Sequence, residues 1–237
     1  MTQTTRAAAQ SLPPVPPIPR YLQQLYWWAY IHPRAVSLFE REWLVNIILL
    51  GNYRRLREAC LAALDERTPG RTLQLGCVYG NLSTRLQQRL APESTLDVVD
   101  ILKIQLENLA RKLPHQERVT LTQGDSSSLT CADAAYNQVL LFFLLHEQPE
   151  HIRRKTICEA IRVTRPGGRI VVVDYHRPVD WHPLRPLLRL ILKRLKPYAA
   201  DLWRNELDAY FPRDFIPDSR SQATFFGGLY QMAIITR

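Results

Sequence analysis

The chain has 237 residues, 46% hydrophobic and 22% charged, which suits one folded domain with a full core plus short appendages and excludes a disordered chain. Thirty-one Lys and Arg against 22 Asp and Glu leave a formal charge of +9. That excess points to an acidic partner surface, either nucleic acid or an anionic membrane face, and charge alone does not choose between them. Cys60, Cys77, Cys131 and Cys158 are far apart and lack C-x-x-C or zinc-finger spacing. Neither a disulfide framework nor a structural zinc site is indicated, and the thiols are expected to be reduced and cytosolic.

In chain order, residues 1–20 hold a single early Arg6 and then Pro13, Pro14, Pro16, Pro17 and Pro19, with no apolar run before them. This composition predicts an extended, disordered tail and does not resemble a secretory signal. Residues 21–237 are expected to form a single domain, opening with a helical lead-in over 21–66. There Trp27, Trp28 and Tyr30 lead to Pro33, and Val36, Phe39, Trp43, Ile47 and Leu50 follow at steps of three and four. The longest apolar stretch, Trp43 to Leu50, is interrupted by Asn46 and falls well short of the ~20 residues of a membrane-spanning helix.

The period then changes. Short β-like runs at Arg71–Leu75, Thr95–Val99, Val119–Gln123, Asn137–Leu145 and Arg169–Asp174 alternate with helical windows at Leu82–Leu90, Ile104–Leu113 and Ile152–Val163. This alternation predicts an α/β, Rossmann-like fold with a mostly parallel seven-stranded sheet covered on both faces. An amphipathic helical insertion is expected at 179–204. Leu184, Leu187, Leu188, Ile191, Leu192 and Leu195 share one face of it, and Arg185, Arg189, Lys193 and Lys196 share the other. Such a helix can lie in a membrane interface or simply pack on the domain surface. The alternating tail from Thr224 to Thr236 predicts a final hairpin that completes the sheet.

The first βα turn reads Leu73-Gln74-Leu75-Gly76-Cys77-Val78-Tyr79-Gly80-Asn81. Gly76 and Gly80 take the first and third places of a G-x-G-x-G loop, which lets backbone approach a nucleotide cofactor. The loop follows a strand, opens a helix, and precedes Asp100, an acidic residue placed to grip ribose hydroxyls. Gly124-Asp125-Ser126 closes the third strand, where Asp and Ser also suit a helix N-cap. Arg165-Pro166-Gly167-Gly168 is read as a structural turn.

These motifs occur together with Tyr26-Trp27-Trp28-Ala29-Tyr30, Asp97-Val98-Val99-Asp100, Leu144-Leu145-His146-Glu147-Gln148-Pro149 and Val173-Asp174-Tyr175-His176-Arg177-Pro178. On them the chain resembles the class I S-adenosylmethionine (SAM) dependent methyltransferases near those of quinone biosynthesis, and more closely the rhodoquinone biosynthesis protein family, RquA. The resemblance runs from about Tyr26 to Trp203. It implies conversion of ubiquinone to rhodoquinone by replacing a ring methoxy group with an amino group, with SAM supplying the nitrogen and manganese(II) required. It also implies that Asp125 faces the adenine amine beside Ser126.

Ordinary methyltransferases end the first strand with an acidic residue that pairs with the SAM ammonium. Here that place is Gln74, and Val78 replaces the middle glycine. A carboxylate beside an ammonium keeps it charged and its lone pair unavailable. Glutamine withholds that effect, so a neutral amine could attack an electron-poor quinone ring. Metal candidates are expected where open α/β sheets bind ligands, at the C-terminal ends of strands four and five: His146, Glu147, Asp174 and His176. Capping, or ordinary hydrogen bonding in a pocket, accounts for the same residues. His146 and His176 are also the candidate bases, because histidine titrates near neutral pH. Tyr79 is expected to face SAM or the quinone, or else to fill volume in the loop.

Two other functions compete with amino transfer. Ordinary methyl transfer to a quinone or small hydroxylated substrate lacks its expected carboxylate at position 74. A nucleic-acid-binding module fits the charge but lacks a recognisable motif. The lipid solubility of ubiquinone favours a cytoplasmic protein attached peripherally to the inner, or mitochondrial inner, membrane through Leu184–Lys196 and the aromatic lead-in.

Overall fold

The computed structural model describes residues 16–25, 36, 38–64, 70–114 and 116–237. Trp27, Trp28, Tyr30 and Pro33, and most of the expected Pro-rich tail, lie outside them. The lead-in contributes α1 (Arg20–Leu25), α2 (Glu42–Ile48) and α3 (Tyr53–Ala63). Five mutually parallel strands follow: β1 (Arg71–Leu75), β2 (Thr95–Asp100), β3 (Val119–Gln123), β4 (Tyr136–Phe142) and β5 (Thr164–Tyr175). Helices α4 (Leu82–Arg89), α5 (Lys103–Ala110) and α6 (Glu150–Val163) connect β1 to β2, β2 to β3 and β4 to β5. After α7 (Arg185–Leu195) and α8 (Ala199–Arg204), the hairpin β6 (Ser219–Phe225) and β7 (Tyr230–Thr236) adds two antiparallel strands.

The sheet order is β3-β2-β1-β4-β5-β7-β6, the expected Rossmann-like α/β architecture. Strands β1, β4 and β5 are buried on both faces; residues 139–142 and 170–173 are continuous apolar runs, whereas β1 buries the polar Thr72 and Gln74 between its leucines. The edge strand β3 alternates between half-buried and exposed positions instead. From β1 the chain steps outward through β2 to β3, then crosses back to place β4 on the other side of β1. The crevice at the carboxyl ends of β1 and β4 is therefore a topological switch point, where open α/β sheets bind ligands.

Two local expectations are corrected. The fourth strand stops at Phe142, not Leu145, because Phe143 takes a left-handed φ of 55° and the chain winds into a 3-10 turn at Leu145–Glu147. A bulky aromatic residue in that region is strained, and the strain turns the chain into the crevice. The expected stripe Val36, Phe39, Trp43, Ile47 and Leu50 is also not one face. Arg41 is extended (φ −69°, ψ 118°) and resets the helical phase at the start of α2. Val36 is consequently buried, whereas Trp43 and Ile47 are 55% and 61% exposed and Val45 and Leu49 point inward.

Candidate functional site

A cavity of about 370 Å³ occupies the switch point. One wall is the loop after β1 (Gly76 to Tyr79) with Asp100 and with Gly124 to Ser126. The other is made by Phe142 to Leu144, His146 to Gln148, Tyr175 and Tyr230, and α7 closes over it through Leu188, Ile191, Leu192 and Lys196. Tyr21, Phe39 and the end of α2 supply the remaining side.

Gly76 and Gly80 sit at φ of 82° and 85°, conformations that disfavour any side chain. At Gly80 a Cβ would also lie 2.5 Å from the Tyr53 hydroxyl. The lead-in fixes this loop. The Gly80 N–H donates to Glu40 Oε1 at 3.0 Å, the Asn81 N–H donates to the Tyr53 hydroxyl at 3.0 Å, and the Asn81 amide donates to Glu42 at 2.7 Å. Lys112 pairs with Glu40 and donates to the Gly80 carbonyl at 2.9 Å.

Asp100 borders the loop and receives the backbone N–H groups of Cys77 at 2.6 Å and Leu102 at 2.7 Å. Burial raises its pKa to about 6, and those two N–H groups only partly offset the rise. Asp125 accepts the N–H and hydroxyl of Ser127 through Oδ1. It therefore caps a turn, not the helix considered from sequence, and its side chain borders the cavity. The Ser126 hydroxyl contacts Thr156 at 3.2 Å and accepts from Gln148 Nε2 at 3.0 Å. Gln148 is 3% exposed, lines the cavity, and keeps Oε1 without a hydrogen-bond partner.

Val78 lines the cavity, whereas Gln74 lies beneath the loop and does not. Gln74 is fully buried, donates from Nε2 to the Gly76 carbonyl at 2.9 Å, and leaves Oε1 unpaired. A buried acceptor without a donor is costly in isolation. Tyr79 stacks on Phe39 at a centroid distance of 5.9 Å and receives the Gln105 amide at 2.8 Å. Burial pushes its phenol well above the ordinary range.

On the opposite wall, the Asp174 carboxylate is 1% exposed and fully occupied. It receives the N–H groups of Leu145 (2.8 Å), His146 (3.2 Å) and Tyr175 (2.7 Å), and contacts His146 Nδ1 at 2.9 Å. Lys196 Nζ lies 2.7 Å from His146 Nε2 and 3.3 Å from Glu147 Oε1. An ammonium can only donate, so His146 Nε2 is the acceptor and Nδ1 carries the proton that Asp174 receives.

The expected manganese set is corrected by this arrangement. His146, Glu147 and Asp174 converge, but His176 does not line the cavity. Its Nδ1 meets the Gly228 carbonyl at 2.9 Å, and its Nε2 lies 3.5 Å from Glu206. Asp174 is spent on backbone and ring N–H groups, and the lone pair of His146 faces a lysine cation. Among the described residues, no group of three or more His, Cys, Asp or Glu could hold a metal ion. His146 is likewise engaged at both nitrogens, so neither histidine stands as a free base toward the cavity.

Residues absent from the sequence-based list include Glu40, Tyr53 and Lys112, which hold the glycine loop, and Gln148 and Lys196 on the cavity wall. Lys196 had a signal, since it closes the basic face of the amphipathic helix. Nothing local distinguished it from the other cations there. Two of the expected apolar positions of that helix, Leu188 and Leu192, are buried, whereas Leu187, Leu190 and Ile191 are 53%, 57% and 40% exposed. Among the described residues, no helix is long and apolar enough to cross a membrane.

A seven-stranded sheet of this order, with a glycine loop and an acidic β2 terminus around a switch-point cavity, defines a class I SAM-dependent methyltransferase domain. The family model described as "Methyltransferase domain" matches residues 72–168. The chain is 30% identical over 177 residues to the demethylmenaquinone methyltransferase of Thermobifida fusca (strain YX), covering 73% of this chain and 72% of that protein. It belongs to this SAM-dependent methyltransferase family. A SAM-dependent methyltransferase from Aquifex aeolicus superposes with a TM-score of 0.56 at 13% identity, covering 86% of this chain and 97% of that one. Human N-acetylserotonin methyltransferase, solved in complex with SAM, gives 0.60 at 17% identity, covering 92% and 62%. SAM is accordingly the co-substrate, and the glycine loop and the unpaired Gln148 Oε1 border the cavity at the switch point.

Proposed function

We propose that this protein moves the α-amino group of SAM onto the ring of ubiquinone to make the rhodoquinone ring. The amine adds at a methoxy-bearing carbon, and the methoxy group leaves with the amine proton as methanol. The adduct tautomerises so that the ring is reduced to the quinol as the SAM α-carbon becomes an imine. Water hydrolyses that imine to the α-keto acid and rhodoquinol, the reduced form of rhodoquinone. The observation that carries this proposal is Gln74, a buried neutral amide beneath the glycine loop at the position where the resemblance expects a carboxylate. A neutral amide stabilises a nearby ammonium less than a carboxylate does, so an amine bound beside this loop keeps its lone pair more readily. Asp100 would hold the ribose and Asp125 the adenine amine, leaving the apolar side of the cavity for a quinone ring. Similarity to the demethylmenaquinone methyltransferase of Thermobifida fusca supports a quinone-type substrate. No step is assigned to manganese, because the candidate ligands do not form a metal site.

A lipid-tailed substrate would be met at a membrane. The exposed Trp43, Ile47 and Ile48 of α2 and Leu187, Leu190 and Ile191 of α7 belong to two helices that line the cavity, Ile48 and Ile191 doing both. Peripheral attachment through these faces, with Arg185 and Arg189 toward anionic lipid, is part of the proposal.

The second reading is methyl transfer to a quinone, which the relative's name favours. Purified protein incubated with ubiquinone and SAM carrying nitrogen-15 on the amine and deuterium on the methyl separates the two, with and without manganese(II). Nitrogen-15 in the extracted quinone supports amino transfer, and deuterium returns the protein to methyl transfer. Gln74→Glu should lower the yield of amino product at least tenfold while the folded protein still binds S-adenosylhomocysteine. An unchanged yield would remove Gln74 from the mechanism.

A further inference from the structure

We infer that Lys196 is the cation of the substrate half of the cavity, donating to an oxygen of the bound ring at the place where a metal ion was expected. This rests on the proposed quinone substrate and adds the residue that would recognise it. Four groups from three parts of the fold converge here: Asp174 at the end of β5, His146 and Glu147 on the 3-10 turn, and Lys196 just past α7. Their geometry runs in one direction. Asp174 receives the Nδ1 proton of His146 at 2.9 Å, Nε2 receives a Lys196 proton at 2.7 Å, and Glu147 lies 3.3 Å from the same ammonium.

The Asp174 carboxylate is held by three backbone N–H groups, so it fixes the ring tautomer and does not move with the ligand. His146 is packed edge-on against Tyr175 at 4.9 Å and Phe143 at 5.9 Å, which confines its plane. Both its ring nitrogens are used, and Glu147 is an acceptor that would repel a carbonyl oxygen. Lys196 is the donor that this assembly points at the cavity, whose other groups on that side are mainly aromatic and aliphatic. A lysine so aligned can donate to a quinone carbonyl and stabilise the negative charge that develops on its oxygen when a nucleophile adds to the ring. His146 and Asp174 are then positioning residues. The aliphatic Leu188, Ile191 and Leu192, on the same stretch of chain, would run along the tail.

The test is equilibrium binding of a short-tailed dimethoxybenzoquinone in the presence of S-adenosylhomocysteine and the absence of added metal. Lys196→Met should weaken quinone binding by about 10- to 100-fold, the range for a hydrogen bond to a charged group. S-Adenosylhomocysteine affinity should stay at its wild-type value, and the melting temperature should fall by only a few degrees, because His146 Nε2 and Glu147 each lose a donor. Lys196→Arg, which keeps a cation, should recover most of the quinone affinity, which a merely structural lysine would not predict. Quinone affinity unchanged in folded Lys196→Met overturns the inference and leaves the substrate intact. Wild-type protein that binds no quinone overturns the substrate reading and the inference with it.

Discussion

The two walls of the cavity are built by different means. The wall proposed for SAM is made of three short local runs: the glycine loop, the acidic end of β2 and the turn after β3. The substrate wall is assembled from contacts between residues far apart, with Asp174 and Lys196 meeting His146 across 28 and 50 positions of sequence. The first wall thus rests on local backbone conformation braced from outside by Glu40, Tyr53 and Lys112, the second on the meeting of distant side chains. A local change should damage the first alone, whereas loss of a distant support should damage the second.

The largest expected effect is at Arg153, which is fully buried beneath the substrate wall. Its guanidinium donates to the carbonyls of Leu145, Gln148 and Tyr198 and to the Tyr210 hydroxyl, at 2.8–3.0 Å. It thereby ties the 3-10 turn to the start of α8. Arg153→Leu would remove four buried hydrogen bonds and strip the Gln148 carbonyl of its donor, while the Leu145 and Tyr198 carbonyls keep the N–H groups of Gln148 and Asp201, costing on the order of 3 kcal/mol. That corresponds to a melting temperature lower by roughly 6–12 °C. Differential scanning calorimetry checks it, and quinone binding should fall further than S-adenosylhomocysteine binding if the walls are separately supported.

Gly80→Ala attacks the other wall. The left-handed backbone and the approach to the Tyr53 hydroxyl should cost about 2 kcal/mol, or roughly 30-fold in S-adenosylhomocysteine affinity by titration calorimetry. Quinone contacts on the far wall should be spared.

The smallest effect is a pH dependence, and it has two opposite signs. With a pKa of about 6 in the folded protein, Asp100 is ionised and able to accept ribose hydroxyls above that pH. SAM affinity should therefore be about tenfold weaker at pH 5 than at pH 8, from one pH unit below the pKa. The ligand-free protein responds the other way. The folded-state pKa lies above the unfolded value of ~3.9, so Asp100 contributes stability that is complete below ~3.9 and is lost as pH rises through about 6. Asp100→Asn should flatten the pH dependence of binding, which isothermal titration across pH reads directly.

Much of the SAM wall was legible in sequence. Gly76, Gly80, Asp100, Asp125 and Ser126 all border the cavity or its loop, because a tight βα turn needs glycine at fixed steps and the acidic partner follows one unit later. Gln74 was legible as a substitution but not as a residue lying under the loop. On the other wall, four metal candidates were chosen by their position at strand ends. That criterion gives no side-chain direction: His176 turns to Gly228, and Asp174 turns to the backbone of the neighbouring turn.

The sequence by itself determined the alternation of strands and helices, the parallel sheet and the glycine-lined half of the site, since each depends on periodicity or on neighbours within about thirty residues. Tertiary structure alone decided that Glu40 and Tyr53 hold the glycine loop, that the lead-in stripe splits at Arg41, and that Lys196 stands where a metal was expected. Those outcomes depend on which distant side chains meet once the sheet has formed, and no local spacing encodes that meeting.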